Sequence, residues 1–170
     1  FVTDRPLIVE GPNLEQTKQA YALAFVQRAE FVSKYSTATT AGAFADALIA
    51  SIQTNSLVDL TPQRQAIIDA YNGGTDQNSG RARALRVAID NPVFTTAEYN
   101  PSFVAMQYFG YLGRDIDLGG YNFWLGLLNG NQAGNFRGMV CSFITSTEYQ
   151  QRFSDLVPHS NVDCGYLTNP

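Results

Sequence analysis

The sequence is poor in charged residues and contains no long apolar run. Only 15% of its 170 residues are charged, and the formal net charge is −4. Because phosphate binding needs a basic face, this balance argues against a nucleic-acid partner. No apolar run approaches the roughly 20 residues of a membrane-spanning helix. The chain shows no secretory leader and begins at Phe1 instead of Met, so we expect a processed or excised segment of a longer protein.

Residues typical of active sites are scarce. The single histidine, His159, lies in a polar C-terminal stretch beside Pro158, which is a poor position for the base of a Ser–His–Asp site. The sequence has no His/Cys cluster with zinc spacing and no glycine-rich phosphate loop. We therefore predict no catalytic residues, no metal site and no cofactor.

Cysteine is also scarce, with Cys141 and Cys164 as the only two. The few lysines, the many Asn, Gln, Ser and Thr residues and the missing start favour an oxidising compartment, in which such a pair forms a disulfide. A bridge that closes a loop of this size stabilises a fold by roughly 3 kcal/mol. The alternative is a pair of free thiols, one buried and one in the C-terminal tail.

Apolar residues at helical spacing are what the chain has in quantity. Hydrophobic residues make up 45% of the sequence, and the length suits one ordinary domain. No segment shows sustained strict alternation of apolar and polar residues, so no sheet is expected. We predict an all-α fold, a compact bundle of about seven or eight short helices, with an irregular N-terminal arm at 1–12 and an irregular C-terminal tail at 154–170.

Several local patterns mark where these helices begin. Asn13 is a capping residue for a first helix whose inner face includes Val32. The other predicted helix starts are Thr39 or Thr40, Thr61-Pro62, Ser79 or Gly80, Asn100-Pro101 and Ser146.

The most aromatic stretch, residues 101–124, predicts a central helix, a short acidic turn and a second helix. Two apolar stripes run along the first of these helices, one through Phe103, Met106 and Gly110 and the other through Tyr108. A helix that is apolar on both sides is usually covered by neighbours on more than one face. We therefore interpret Gly110 as a point of close helix contact, and Gly113 as the helix stop.

An internal repeat emerges from these elements. FVQRAEF at 25–31 resembles FITSTEY at 143–149, and AIDNPVF at 88–94 is a degenerate third copy. The predicted helical domain, 13–153, thus contains the end of a preceding repeat (13–35), a degenerate repeat (40–99) and a well-formed repeat (100–153). This order suggests that further repeats lie upstream.

The strings YLGRDIDLGGYNFW at 111–124 and FITSTEY at 143–149 resemble the bacterial domain-of-unknown-function family numbered 4214. The resemblance is good from about 100 to 153 and weak over 41–99, and Ile116 stands where the family usually has proline. The sequence pattern is also similar to that of the helical domain of phycobilisome rod linkers. The resemblance implies an all-helical, secreted module without established catalytic residues. Its structural motif would consist of Gly113, Arg114, Asp117, Gly120, Tyr121, Trp124 and Glu148.

The charged residues of this motif allow more than one interpretation. Arg114 beside Asp115 and Asp117 could bind a ligand, but its fork geometry better suits a structural tie to carboxylates and carbonyls. The same acidic turn resembles the front of a calcium loop, although the fifth ligand and the final Glu are missing. Glu148 follows Ser146 as expected of a carboxylate favoured at a helix start.

The aromatic residues of this stretch are too many to bury entirely in a small helical domain. Tyr and Trp are favoured at interfaces, so Tyr108 and Tyr111 are predicted interface candidates. The apolar run Leu7, Ile8 and Val9 is a second candidate, as an arm that docks on another subunit. The alternative for this run is a tail packed on the first helix.

Three functional hypotheses remain. The preferred one is a non-enzymatic structural or protein-interaction module of a secreted or surface bacterial protein, which can self-assemble into an extracellular polymer. Its partners would be other subunits or upstream domains of the same protein, in a homo-oligomer or filament. The alternative is a carbohydrate-binding module that uses exposed Tyr and Trp. A carboxylate-based hydrolase is the third.

Overall fold

A computed structural model describes residues 13–153 and Cys164. Within these residues the regular structure is entirely helical, as the sequence predicts: ten α-helices, one 3-10 turn and one π-helical turn, without strands. The two predicted tails fall outside the described residues, apart from Cys164. None of the described helices is long and apolar enough to cross a membrane.

The chain divides into two compact units between Ala97 and Glu98, close to the border expected between the two repeats. We call them unit 1 and unit 2 and describe each by itself. The helices of unit 1 are α1 (Leu14–Phe25), α2 (Ala29–Lys34), α3 (Ala41–Ser56), α4 (Arg64–Asn72, preceded by the 3-10 turn Thr61–Gln63), α5 (Gln77–Ile89) and α6 (Pro92–Ala97).

Short-range capping bonds set most helix starts in unit 1. The Asn13 side chain accepts a hydrogen bond from the Gln16 N–H, and the Thr40 hydroxyl accepts one from the Ala43 N–H, both at predicted starts. The predicted start of α5 at Ser79 or Gly80 is wrong. Asp76 caps this helix, because its carboxylate accepts the Ser79 N–H at 2.8 Å while the Ser79 hydroxyl accepts the Asp76 N–H at 3.0 Å.

The core of unit 1 is built around an aromatic cluster. The first helix ends at Phe25, Arg28 adopts an extended conformation, and α2 begins at Ala29. This break turns Phe31 and Tyr35 inward, where their rings lie within 6.2 Å and 5.3 Å of the Phe44 ring. Val32 is 43% exposed, so its predicted inner position is wrong. The prediction assumed one continuous helix, and the break changes the phase of the apolar face.

Unit 2 contains a second set of helices. They are α7 (Tyr99–Gln107), which continues into the π-helical turn (Tyr108–Leu112), then α8 (Leu118–Asn129), α9 (Phe136–Ile144) and α10 (Thr147–Phe153). Glu98, not Asn100, occupies the N-cap of α7. The Asn100 side chain instead donates to Oδ1 of Asn129 at 2.7 Å, which fastens α7 to the end of α8.

The core of unit 2 lies under one face of α7 and the π-helical turn. Its buried residues are Val104, Tyr108, Leu112, Leu128, Met139 and Phe143. Both predicted stripes are partly covered: Phe103 of the first packs against this core, and Tyr108 of the second is buried in it. Met106 is 38% exposed, and no atom lies within 4 Å of where a Cβ on Gly110 would stand, so the predicted close contact at Gly110 is wrong.

The predicted disulfide between Cys141 and Cys164 is present, with an S–S distance of 2.04 Å. Cys141 lies on α9, and both half-cystines are buried. The bridge therefore ties the core helix of unit 2 to a residue 23 positions further along the chain.

Candidate functional site

The acidic turn between the π-helical turn and α8 is fixed at both ends by backbone conformation and capping. Gly113 ends the preceding helix with φ at 58°, a left-handed conformation that favours glycine. Asp117 caps α8, since its carboxylate accepts the Gly120 N–H at 2.7 Å. Three residues lie between these two anchors: Arg114 is half-buried, Asp115 is exposed, and Ile116 packs against the core of unit 2.

Arg114 is the centre of this turn. Its Nε donates to Oε1 of Glu148 at 2.6 Å and its Nη2 to Oε2 at 3.0 Å, in a two-pronged pair. Its Nη1 donates to the Asp115 carbonyl at 2.9 Å and to Asp117 at 3.2 Å. The guanidinium also lies 5.0 Å from the centre of the Tyr108 ring. Four of its five N–H groups are thus in use, in the structural tie to carboxylates and carbonyls that was preferred from the sequence.

Glu148 has a different partner from the one expected. The cap of α10 is Ser146, whose hydroxyl accepts the Tyr149 N–H at 3.1 Å. Glu148 lies in the first turn of α10 and directs its carboxylate to Arg114, 34 residues earlier in the chain. Sequence reasoning missed this pair. The available signal was that two opposite charges both belong to the motif strings that carried the family resemblance.

The electrostatics of the site follow from these bonds. The hydrogen bond to Glu148 raises the pKa of Arg114, and the same bond lowers the pKa of Glu148. The Gly120 N–H, followed by Arg114, lowers the pKa of Asp117. Burial, together with the nearby Asp117 charge, raises the pKa of Tyr108. The Arg114 guanidinium therefore lies between two carboxylates, and the charge of Arg152 also acts on Glu148, so the positive and negative charges at the site are balanced.

The calcium alternative finds no support in this arrangement. Asp117 already accepts from the Gly120 N–H and from Arg114, and the positive guanidinium lies where a cation would have to approach. No group of three or more metal-binding side chains occurs among the residues that the structure describes.

Gly120 and Tyr121 extend the motif into the core of unit 2. A Cβ on Gly120 would collide with the Tyr108 hydroxyl, so only glycine allows α8 to approach this ring. Tyr121 packs against the core, and burial raises the pKa of its hydroxyl. These two positions are structural.

A cleft of about 180 Å³ opens beside the Arg114–Glu148 pair. Trp124 is half-buried in its wall and lies 5.8 Å, centre to centre, from the Phe143 ring. Its lining residues are Tyr108, Leu112, Arg114, Trp124, Ser142, Phe143, Ser146 and Glu148. The cleft thus joins the two motif strings, which are distant in sequence.

A larger cavity, about 320 Å³, lies in unit 1 between α1 and α5. Its walls are apolar, with Phe25 and Leu85 among them, and its rim carries Arg86. That guanidinium is held by Glu15 at 2.8 Å and by Asp90 at 2.6 Å. Volume alone would favour this cavity, but convergent polar groups with unused hydrogen-bonding capacity favour the cleft in unit 2.

Of the predicted interface residues within the described part of the chain, one is buried and one is half-buried. Tyr108 is 3% exposed and lies in the core, so its assignment to an interface is wrong. Tyr111 is half-buried, with its ring 6.2 Å from that of Tyr149. Leu7, Ile8 and Val9 lie outside the described residues. Unit 2 exposes other large apolar side chains, none of which was chosen as an interface candidate from the sequence: Tyr99, Met106, Phe109, Leu118 and Phe123.

Comparison with known proteins bears on one part of the chain. No curated protein matches it, and no solved structure does. The similarity to phycobilisome rod linkers therefore stays a prediction. Residues 89–153, which hold the whole Arg114 turn, the cleft and Glu148, match the model of a family described as Domain of unknown function (DUF4214), and this confirms the family resemblance over that segment.

Proposed function

We propose that this chain is a non-enzymatic structural and protein-interaction module of a secreted or surface bacterial protein, and that it self-associates. The observation that carries the proposal is an exposed apolar face on α7 and the π-helical turn. We call Tyr99, Met106 and Phe109 the α7 face. Their side chains are 58%, 38% and 38% exposed.

The spacing of these residues places them on one side of the helix. Positions 99, 106 and 109 are separated by seven and three residues, which in a helix keeps the three side chains within about 80° of one another, on the same half of the surface. Gly110 lies next to Phe109 and leaves open space above its backbone. Aromatic and methionine side chains are enriched in protein interfaces, and a contiguous exposed apolar patch marks an interaction site.

The partner that we propose is a second copy of this chain, or a related domain of the same protein. A net charge of only −4 over 170 residues gives little long-range repulsion between copies. The Cys141–Cys164 disulfide supports an oxidising location outside the cytoplasm. The absence of catalytic function is part of the proposal, and it rests on the structural engagement of Arg114, Asp117 and Glu148.

The test is native mass by light scattering over a concentration series. We expect the mass to rise with concentration for the wild type, and to stay at the monomer for Met106→Lys/Phe109→Lys. Leu23→Lys/Val32→Lys is the matched control, since these unit 1 residues are similarly exposed, at 36% and 43%. A wild type that stays monomeric at every concentration would overturn self-association.

A further inference from the structure

The cleft beside Arg114 has features that the interaction proposal does not use. It combines an ion pair, a serine hydroxyl and the wall formed by Trp124. Unit 1 has a corresponding turn, but without the ion pair, so the fold does not require these polar groups to come together. We propose that this cleft binds one ring of a neutral carbohydrate.

Unused hydrogen-bonding capacity in the cleft is the first support. Arg114 has one N–H left on Nη2, because its other four are engaged. Each Glu148 oxygen accepts one bond from Arg114 and keeps a further lone pair. The Ser142 hydroxyl donates to the Gly138 carbonyl at 2.9 Å and accepts no hydrogen bond among the described residues. One donor and several acceptors thus face the same space, which suits adjacent hydroxyl groups that both donate and accept.

The charge balance selects a neutral ligand. An anion would approach Arg114 but would meet the carboxylates of Glu148 and Asp117, which are 2.6 and 3.2 Å from the guanidinium. A cation would meet the guanidinium itself. A neutral polyol avoids both repulsions, and hydrogen bonds to charged groups are stronger than those between neutral groups.

The apolar wall of the cleft supplies an aromatic surface, the second feature that a sugar-binding site needs. Trp124 is half-buried, and its ring lies 5.8 Å from the buried Phe143 ring and 5.2 Å from the exposed Phe123 ring. The negative face of an aromatic ring attracts the weakly positive C–H groups of a sugar ring. Because Trp124 already packs against buried Phe143, part of its side-chain freedom is lost before a ligand binds.

The size of the cleft limits what it can take. Pockets for drug-sized ligands measure about 300–1,000 Å³, whereas this cleft measures about 180 Å³. It therefore fits a single ring, with the rest of an oligosaccharide extending into solvent. Few contacts imply weak binding, with a dissociation constant of about 1 mM for one ring.

Trp124 is the only tryptophan of the chain, so its fluorescence reports directly on the cleft. The experiment titrates the intact chain with a panel of neutral mono- and oligosaccharides and of acidic sugars. We expect a saturable change in emission with at least one neutral sugar and at least tenfold weaker binding of its acidic counterpart. No saturable change with any neutral sugar up to about 100 mM would overturn the proposal.

Two variants test the location. Ser142→Gln fills the cleft from an exposed position on α9 and leaves both members of the ion pair in the sequence, and we expect it to weaken binding at least tenfold. Thr54→Gln is the matched control, because this exposed hydroxyl also donates to a carbonyl of its own helix, that of Ala50 at 2.8 Å. Unchanged affinity in Ser142→Gln would overturn the site. Light scattering on the same samples measures self-association separately, so either proposal can fail alone.

Discussion

The helix that precedes the central turn ends in a left-handed residue in both units, Leu57 in unit 1 and Gly113 in unit 2. Their φ angles are 56° and 58°. An aspartate follows in each turn, at a different distance: Asp59, two residues on, accepts the Thr61 N–H at 2.8 Å, and Asp117, four residues on, accepts the Gly120 N–H at 2.7 Å. The two turns therefore share the left-handed helix end but not the capping bond, and only the second carries the glycine and arginine of the motif.

The side chains that close these turns differ. The residue after the left-handed position is Val58 in unit 1, where it is 6% exposed, and Arg114 in unit 2. Asn91 and Ser146 each accept a backbone N–H at the start of the last helix of their unit. Two residues after these caps stand Val93 and Glu148. Valine thus stands in unit 1 at the positions of both members of the ion pair. A turn of this kind can therefore form without the pair.

The cores differ in a way that matches this division. Unit 1 buries the larger apolar cluster, which includes the aromatic rings around Phe44. Unit 2 has the smaller cluster and is the unit that carries the disulfide. Small cores are often supplemented by cross-links. Unit 2 therefore relies more on specific tethers, and unit 1 more on burial.

Removal of the disulfide tests this contrast most severely. The double variant Cys141→Ser/Cys164→Ser releases a loop whose ends are 23 residues apart. We expect the free energy of unfolding of unit 2 to fall by about 3 kcal/mol. Urea unfolding followed by Trp124 fluorescence measures this loss, with Ser142→Ala as the control on the same helix. An unchanged midpoint would show that the core of unit 2 is sufficient without the tether.

The substitution Gly120→Ala tests a second difference between the two turns, which is the space available for a side chain. In unit 1 the N–H bound by Asp59 belongs to Thr61, which carries an exposed side chain. In unit 2 a Cβ on Gly120 would collide with the Tyr108 hydroxyl. We expect Gly120→Ala to destabilise by about 2 kcal/mol in thermal or urea unfolding. Gly110→Ala, which meets no atom within 4 Å, should cause no loss. Equal effects of the two variants would refute the close approach.

Replacing Arg114 and Glu148 with valine, the residue at the corresponding positions of unit 1, tests whether the turn of unit 2 needs its ion pair. Arg114→Ala leaves Glu148 beside the core without its partner, and we expect a loss of about 1–2 kcal/mol, since the two side chains are 31% and 39% exposed. Arg114→Val/Glu148→Val should recover to within about 1 kcal/mol of the wild type, as replacing both partners often does. Chemical denaturation of the full double-mutant cycle measures both values. A double variant as unstable as the sum of its parts would contradict the equivalence of the two turns.

The sequence predicts features whose partners lie close along the chain. The caps at Asn13, Thr40 and Ser146 and the helix stop at Gly113 each depend on residues within four positions. The start of α5 was misplaced although it is local, because Ser79 is itself a good capping residue and its reciprocal bond with Asp76 was not recognised.

Features that depend on distant residues or on packing were missed. The Arg114–Glu148 pair spans 34 residues, and nothing in helical periodicity specifies it. Periodicity identified two apolar stripes along α7 and the π-helical turn but not which residues of each stripe the rest of unit 2 covers, so Met106 was placed inside. The wrong assignment of buried Tyr108 to an interface has the same cause. Each of these errors concerns which helices contact one another, and local sequence patterns do not determine those contacts.

The dependence of stability on pH should also distinguish the units. The pKa of Glu148 lies below its ordinary value of 4.5 because Arg114 binds the carboxylate. The pair therefore stabilises unit 2 fully above that value, and its contribution disappears as the pH falls through the lowered pKa. We expect the stability difference between wild type and Glu148→Gln to shrink below about pH 4.5 in unfolding experiments. Asp46→Asn in unit 1 should show a smaller change, because the Asp46–Arg64 pair is more exposed.

The smallest expected effect concerns the left-handed residue itself. Leu57 is 82% exposed, so its side chain contributes no packing that glycine would lose. A non-glycine residue in this conformation costs about 1–2 kcal/mol, and the added freedom of glycine in the unfolded chain offsets part of the gain. Leu57→Gly should therefore stabilise unit 1 by about 0.5 kcal/mol, measured by urea unfolding followed by circular dichroism.

The reverse change in unit 2, Gly113→Ala, should destabilise by about 1 kcal/mol, since its φ of 58° is the same strained conformation for alanine. Opposite signs at Leu57 and Gly113 would mean that both turns are held in the left-handed conformation by the helices around them. A loss of stability in both variants would mean that unit 1 depends on the leucine side chain, and that the two turns are alike in backbone but not in what maintains them.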